Sequence, residues 1–435
     1  MKKIILIMMI FILVFTVACN NETIENNNTN SDNQNSELQE EKENEEKPNE
    51  EKQSDKERET IEISEIDFTK LDKPLNYYNQ DMKVSPDGNF VAFSCFSASD
   101  DNGKMKNLLV RASLVTGKVT ILTESEKSIR LLDWSKDGKR ILYRLGQDLY
   151  VYNVYMEKNT ISKIDDRVFS ASFSPKSNKI AYSRDDGIWI YNFNDNSKQQ
   201  LTEGKYDYYP LWYPDESHLL FFKDLGENLG DGAGNGQGIY IYSFKDNKEI
   251  KILSYKDNKE LPKKYRKSQW ISPGKLVHIV SGWDDGWYEH ILNLETQEMI
   301  DLGERFLGGG GPFITDINKE DRMIVKLDNS EAEIFGKGMD SKIKSFESKY
   351  NIIELEAVGN NSFIYLEGEL YPDQFSEIEG VRLIYDENND KKMIEDFGDF
   401  SGLEFIEQNN ILIYFENENN NGMTKILKLK IKKLE

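Results

Sequence analysis

Side chains suited to metal and redox chemistry are scarce in this chain. Its 435 residues hold two cysteines, Cys19 and Cys95, and three histidines, His218, His278 and His290. Two cysteines supply neither a paired-Cys zinc pattern nor a disulfide framework. No HExxH pair and no GxSxG elbow occurs. No cofactor or metal is therefore expected, and no catalytic residue stands out. Positive charge is also short: 55 basic residues face 77 acidic ones, a net charge of −22. So acidic a chain is a poor candidate for binding nucleic acid by charge. The acidity reads first as a means of solubility.

One long hydrophobic run exists, and it is at the start. In "MKKIILIMMIFILVFTVAC", Lys2 and Lys3 precede an apolar stretch that reaches Ala18. The run is short for a membrane span and no stop-transfer charges follow, so it reads as a secretory signal. Thr16-Val17-Ala18-Cys19 resembles a bacterial lipobox, with Thr16 in place of the usual Leu. The resemblance implies removal of residues 1–18 and lipid on Cys19; the alternative is an ordinary signal peptide with an incidental Cys19.

Aromatic residues are missing from residues 20–60, which hold ten Asn, fourteen acidic and five basic residues. Such a segment cannot bury enough apolar surface to offset its ordering entropy. Residues 19–60 are expected to form a lipidated, disordered acidic tether. They carry −9 of the charge and the leader +2, which leaves −15 on residues 61–435. With Cys19 lipidated, Cys95 is alone. It ends the apolar strand "VAFSCFS" and reads as a small hydrophobe.

What fills the body is repetition. "VSPDGNFVAFS" (84–94) returns as "WSKDGKRILYR", "FSPKSNKIAYS" and "WYPDESHLLFF". With Val84 as anchor, further copies begin at Trp134, Phe173, Trp212, Ile271, Ile317, Glu356 and Phe405. The shortest spacing is 39 residues, and longer ones carry insertions. Residues 168–202 show the unit plainly: four short strands rich in Ile, Tyr, Phe and Trp, joined by hairpin loops. The Asp-Gly pairs predict type I′ turns. No convincing amphipathic helix separates the units. Strands at this period read as propeller blades, each apolar face covered by the next blade. The expected fold is all-β: a single β-propeller of four-stranded blades over residues 61–435. Eight blades are favoured, with seven the alternative. The last unit lacks an outer strand, and residues 61–67 are expected to supply it by pairing with 424–431.

These residues resemble the TolB-like (WD40-like) propeller repeat, roughly Trp-Ser-Pro-Asp-Gly-Lys before an apolar strand. Positions 134–138 and 84–88 match best; residues 80–255 follow the pattern well and 270–435 only in outline. The repeat occurs in TolB, in propeller domains of prolyl-oligopeptidase-type enzymes and in bacterial lipoproteins, so it implies a fold rather than a reaction. The chain ends with the repeats, so the hydrolase domain that follows the propeller in such peptidases is not expected.

The extra length falls on one side of this pattern. Residues 97–107, 224–238 and 367–380 are inserted between second and third strands. The connections 203–210, 254–266 and 303–313 link successive units on that same face. Long loops on a rigid scaffold are where binding residues concentrate. The candidate binding residues are Tyr206, Tyr208, Tyr209, Trp283, Asp284, Trp287, Gly309, Gly310 and Tyr371. Trp283 and Trp287 read equally as a cross-strand pair steadying a hairpin. Asp100, Asp101 and Asn102, or Asp231 with Asn235, offer oxygen ligands for calcium, but solvated turns are the favoured reading. Function is expected to be that of a monomeric envelope lipoprotein, exported and lipid-anchored to the bacterial membrane. It would bind a protein or glycan on the inserted-loop face. The alternatives are a lyase- or glycosidase-type enzyme with carboxylates at the channel mouth, or an accessory subunit of an envelope complex.

Overall fold

A computed structural model describes residues 61–433, apart from 78–81, 98–103, 156–160, 230–234, 273, 284–285, 306–312, 317–321, 329–330, 336–341, 358–361, 371–377, 388–389, 397–398, 407–409 and 421–422. Among the described residues the only helical element is the single turn Phe68–Lys70. Everything else regular is antiparallel strand. Six separate four-stranded sheets cover residues 129–165, 168–200, 208–254, 265–305, 313–347 and 351–396, each ordered as its strands occur along the chain. The chain is all-β and has the four-stranded blades of a propeller.

The seventh sheet has nine strands and joins the chain's two ends. One ladder runs Met82–Val84, Phe90–Ser97, Asn107–Ser113, Val119–Ser125. The other runs Asp399–Ile406, Ile411–Asn420, Met423–Lys433 and then Glu65–Asp67. Glu65 lies opposite Lys430 and Asp67 opposite Lys428, so the expected closing strand is present, shorter than 61–67. The short strand Leu75–Tyr77 bridges the two ladders, pairing with Thr424–Ile426 on one side and with Phe96 and Ser97 on the other. This pairing fits the eight-unit reading. The sequence anchors fall in, or directly after, the first strand of each ladder.

Closure is held mainly by apolar packing. Ile61, Ile66 and Phe68 are buried in one cluster with Phe93 and Phe415. The Phe68 ring sits 5.7 Å from Phe93 and 6.2 Å from Phe415, and those two meet edge-on at 4.9 Å. An aromatic from the N-terminal segment thus locks the first ladder to the last. Successive sheets pack face to face elsewhere by the same means. Leu142, Leu149 and Val151 meet Phe173, Ile180 and Tyr182, for example. Each such fully buried side chain contributes roughly 1.5–3 kcal/mol. Cys95 belongs to the first of these clusters, and burial pushes its thiol up to about 12.

The repeated turn differs from the type I′ expectation. Gly88 N donates to Ser85 O at 2.8 Å, and positive φ falls on Gly88 but not on Asp87. A type I′ turn needs both. Here one left-handed residue sits inside a longer loop, and Ser85 Oγ bonds Asp87 Oδ1 at 2.5 Å while accepting the Phe90 amide at 2.9 Å. Gly138, Ser177 and Glu216 hold the same left-handed position in the next three copies. The Ser and Asp of the motif therefore serve the turn itself.

Candidate functional site

The connection 203–210 carries three candidate tyrosines and is tied down on both flanks. Asp207 is fully buried. Its Oδ2 accepts the Thr202 hydroxyl at 2.6 Å and its Oδ1 accepts the Asp224 amide at 2.9 Å. One carboxylate thus fixes the connection to the strand His218–Asn228, which runs into the 224–238 insertion. Burial raises the Asp207 pKa, and those two hydrogen bonds oppose the rise. Gly204 is required because a Cβ there would lie 2.3 Å from the Asp207 carboxylate oxygens. On the other flank the Tyr209 amide donates to Ser170 Oγ at 3.1 Å, and Ser172 Oγ donates to the Pro210 carbonyl at 3.2 Å.

Held this way, Tyr206 and Tyr209 adopt φ of 68° and 55°. A bulky residue there is an outlier that costs on the order of 1–3 kcal/mol, and such strain gathers at functional sites. Both residues are nevertheless exposed, at 37% and 38%. The Tyr206 and Tyr208 rings stack with centroids 6.1 Å apart, and Phe169 meets Tyr208 edge-on at 5.4 Å. Burial, reinforced by Tyr206 and Tyr209, pushes the Tyr208 phenol above its ordinary range, so it is neutral and able to donate.

Tyr206 and Tyr208 line a cavity of 200 Å³ together with Asp224, Asn235, Gln237 and Lys264. The insertion and two interblade connections thus converge on one cavity, as their shared face predicts. Asn235 Nδ2 donates to Asp224 Oδ2 at 3.0 Å. Gln237 is buried; its amide donates to the Lys263 carbonyl and its side-chain oxygen accepts the Tyr265 amide, both at 2.9 Å. Lys264 is bracketed by these two bonds, and burial lowers its pKa. It also lines a larger cavity of 470 Å³, where it meets Ser281, Tyr288, His290 and Asp301.

The structure brings Tyr206, Tyr208 and Tyr209 together. Trp287 sits in the next sheet under the Arg266 guanidinium, 5.6 Å from the ring centroid. Register places Trp287 opposite Gly282 and Trp283 opposite Gly286, so the two tryptophans are not an opposed pair across the hairpin, which corrects that expectation. Asp284, Gly309, Gly310 and Tyr371 lie outside the described residues, as do Asp100, Asp101, Asn102 and Asp231. Cys19 lies outside them too. Sequence reasoning missed Asp207, Gln237 and Lys264. Asp207 stands between Tyr206 and Tyr208 in the 203–210 connection, but nothing in the chain says that its carboxylate turns inward.

No family model matches the chain. Among solved structures it is similar to dipeptidyl peptidase 4 of Porphyromonas gingivalis, at 12% identity and a TM-score of 0.54, over 81% of this chain and 58% of the peptidase. The chain therefore spans little more than half of that protein's length. It is also similar to TolB from Acinetobacter baumannii, at 15% identity and a TM-score of 0.37, over 66% of this chain and 65% of TolB. The Cps50 (Swd1) beta-propeller domain of Myceliophteria thermophila matches at 13% identity and a TM-score of 0.42, over 68% of this chain and 96% of that domain. Identities this low speak for the fold alone. It is the ladders of four antiparallel strands that make this chain a β-propeller; TolB and the Cps50 (Swd1) propeller domain are among the structures it resembles.

Proposed function

We propose that the chain is an exported lipoprotein, held at the bacterial membrane by lipid on Cys19. Residues 19–60 act as its tether, and its propeller captures an envelope protein or glycan on the inserted-loop face. The observation that carries this reading is the strained pair Tyr206 and Tyr209. Two bulky, exposed residues are kept at positive φ. Beside them is a cavity that combines an aromatic wall with an acid, two amides and an amine. Apolar concavities with a few convergent polar groups are ligand sites by default, and tyrosine gives large contact area at low entropic cost. The protein acts as a monomer in this reading.

Binding of the purified propeller to isolated envelope material tests it. Tyr206→Ala with Tyr209→Ala is expected to weaken binding at least tenfold while the protein remains folded. Unchanged binding by the double variant would refute the assignment of the site.

A further inference from the structure

The larger cavity holds a set of side chains that no sequence motif announces. Ser281, His290 and Asp301 lie on three neighbouring strands, Leu276–Trp283, Gly286–Asn293 and Met299–Arg305, and all three line the 470 Å³ space. Ser281 Oγ lies 2.6 Å from His290 Nε2. On the other edge of the imidazole, Nδ1 lies 3.7 Å from Asp301 Oδ1. A proton on Nδ1 facing the carboxylate leaves Nε2 free to accept the serine hydrogen. Serine, histidine and carboxylate thus stand in chain order across one sheet face. The same Asp301 Oδ1 accepts the Gly303 amide at 2.9 Å.

The register shows how this row arises. Glu289 pairs with Gly303, yet His290 pairs with Asp301, so Leu302 is an extra residue, a β-bulge. Bulges re-aim side chains. The same step between third and fourth strands recurs in other sheets, where the corresponding pairs are Val110–Ile121, Tyr240–Lys251 and Ile384–Met393. Only the copy in this sheet sets a histidine opposite a carboxylate. The bulge belongs to the repeat; the His–Asp pair does not. Ser281 and His290 are both buried, and burial keeps His290 below its ordinary pKa, in the neutral form a general base needs.

We propose that Ser281, His290 and Asp301 form a serine hydrolase site for short acyl esters, with Asp301 as the positioning residue and Lys264 at the cavity wall. Ser281 Oγ bonds to the carbonyl carbon as its proton passes to His290 Nε2. The bond to the alcohol oxygen breaks as His290 returns that proton to the leaving group. Water, activated by the same nitrogen, then cleaves the acyl-serine, giving the carboxylic acid and restoring the Ser281 hydroxyl. No electrons change hands. The Lys264 ammonium supplies positive charge beside the developing oxyanion. Hydrolysis here does not require the tyrosine cavity to hold anything.

A fluorophosphonate probe on the intact protein, with mass mapping of the adduct, tests this. Ser281 is expected to be labelled in the native protein and not after heat denaturation. Labelling should fall at least tenfold in His290→Gln and in Asp301→Asn, and recover in Asp301→Glu. Asp301 has a side chain 67% exposed, and Asp301→Asn keeps an acceptor for the Gly303 amide that Oδ1 now takes at 2.9 Å. p-Nitrophenyl acetate hydrolysis should be lost in Ser281→Ala while envelope binding persists. A folded protein in which Ser281 resists the probe, or is labelled equally without His290, would overturn the proposal and leave a structural hydrogen bond only.

Discussion

Asp207 sets the geometry of the tyrosine cavity, and its charge is held at a cost. Burial raises its pKa above the ordinary 3.8, so the ionised form is penalised in the folded state. A raised acid weakens the fold as pH climbs past its unfolded value. Asp207→Asn removes the charge while keeping an acceptor for the Asp224 amide. Its melting temperature is expected to equal or exceed that of the parent at pH 7, with the advantage vanishing below about pH 3.8. Thermal scans from pH 3 to 8 check this. Asp207→Ala is different, because it strands the Thr202 hydroxyl and the Asp224 amide that the carboxylate now accepts. It should cost roughly 1–3 kcal/mol and release the 203–210 connection.

The decisive element is the short strand Glu65–Asp67 with the turn Phe68–Lys70 behind it. Lys430 and Lys428 hold Glu65 below the usual carboxylate range, but these pairs lie at the surface, partly open to water, and contribute at most about 1 kcal/mol. The apolar contacts matter more. Phe68→Ala should cost about 3–5 kcal/mol, because the ring is 1% exposed between Phe93 and Phe415. A chain beginning at residue 70 is expected to melt far below one beginning at residue 55, measured by circular dichroism. Equal values would show that the ring closes without this strand. Much of this was legible in the sequence. The turn motifs marked each first strand, and the unpaired outer edge after residue 431 pointed back to the alternating residues 61–67. The site was less legible. That Tyr206 and Tyr209 are tyrosines is plain; that Asp207 and Ser170 force them to positive φ depends on tertiary contacts. Ser281, His290 and Asp301 are separated by nine and eleven residues. Only the register and the extra Leu302 bring them into one row.

At the scale of the whole molecule, one end should reach the membrane and one face the ligand. Cys19→Ala is expected to move the protein from the membrane fraction to the soluble one on cell fractionation. An unchanged distribution would remove the lipid anchor from the proposal. A single acyl chain binds reversibly, so firm retention also calls for the multiple chains of a bacterial lipoprotein. The two faces are told apart by their loops. One bears the Ser-Asp turns, whose polar groups are satisfied internally. The other bears the 203–210 connection, the 224–238 insertion and the 254–266 connection, which together enclose the tyrosine cavity. The most direct test of that division is amide hydrogen exchange with and without saturating envelope material. Added ligand is expected to slow exchange in 203–210, 224–229 and 254–266, and to leave the turns at 85–88 and 135–138 unchanged. Slowing confined to those turns, or absent from both faces, would contradict a binding site on the inserted-loop face.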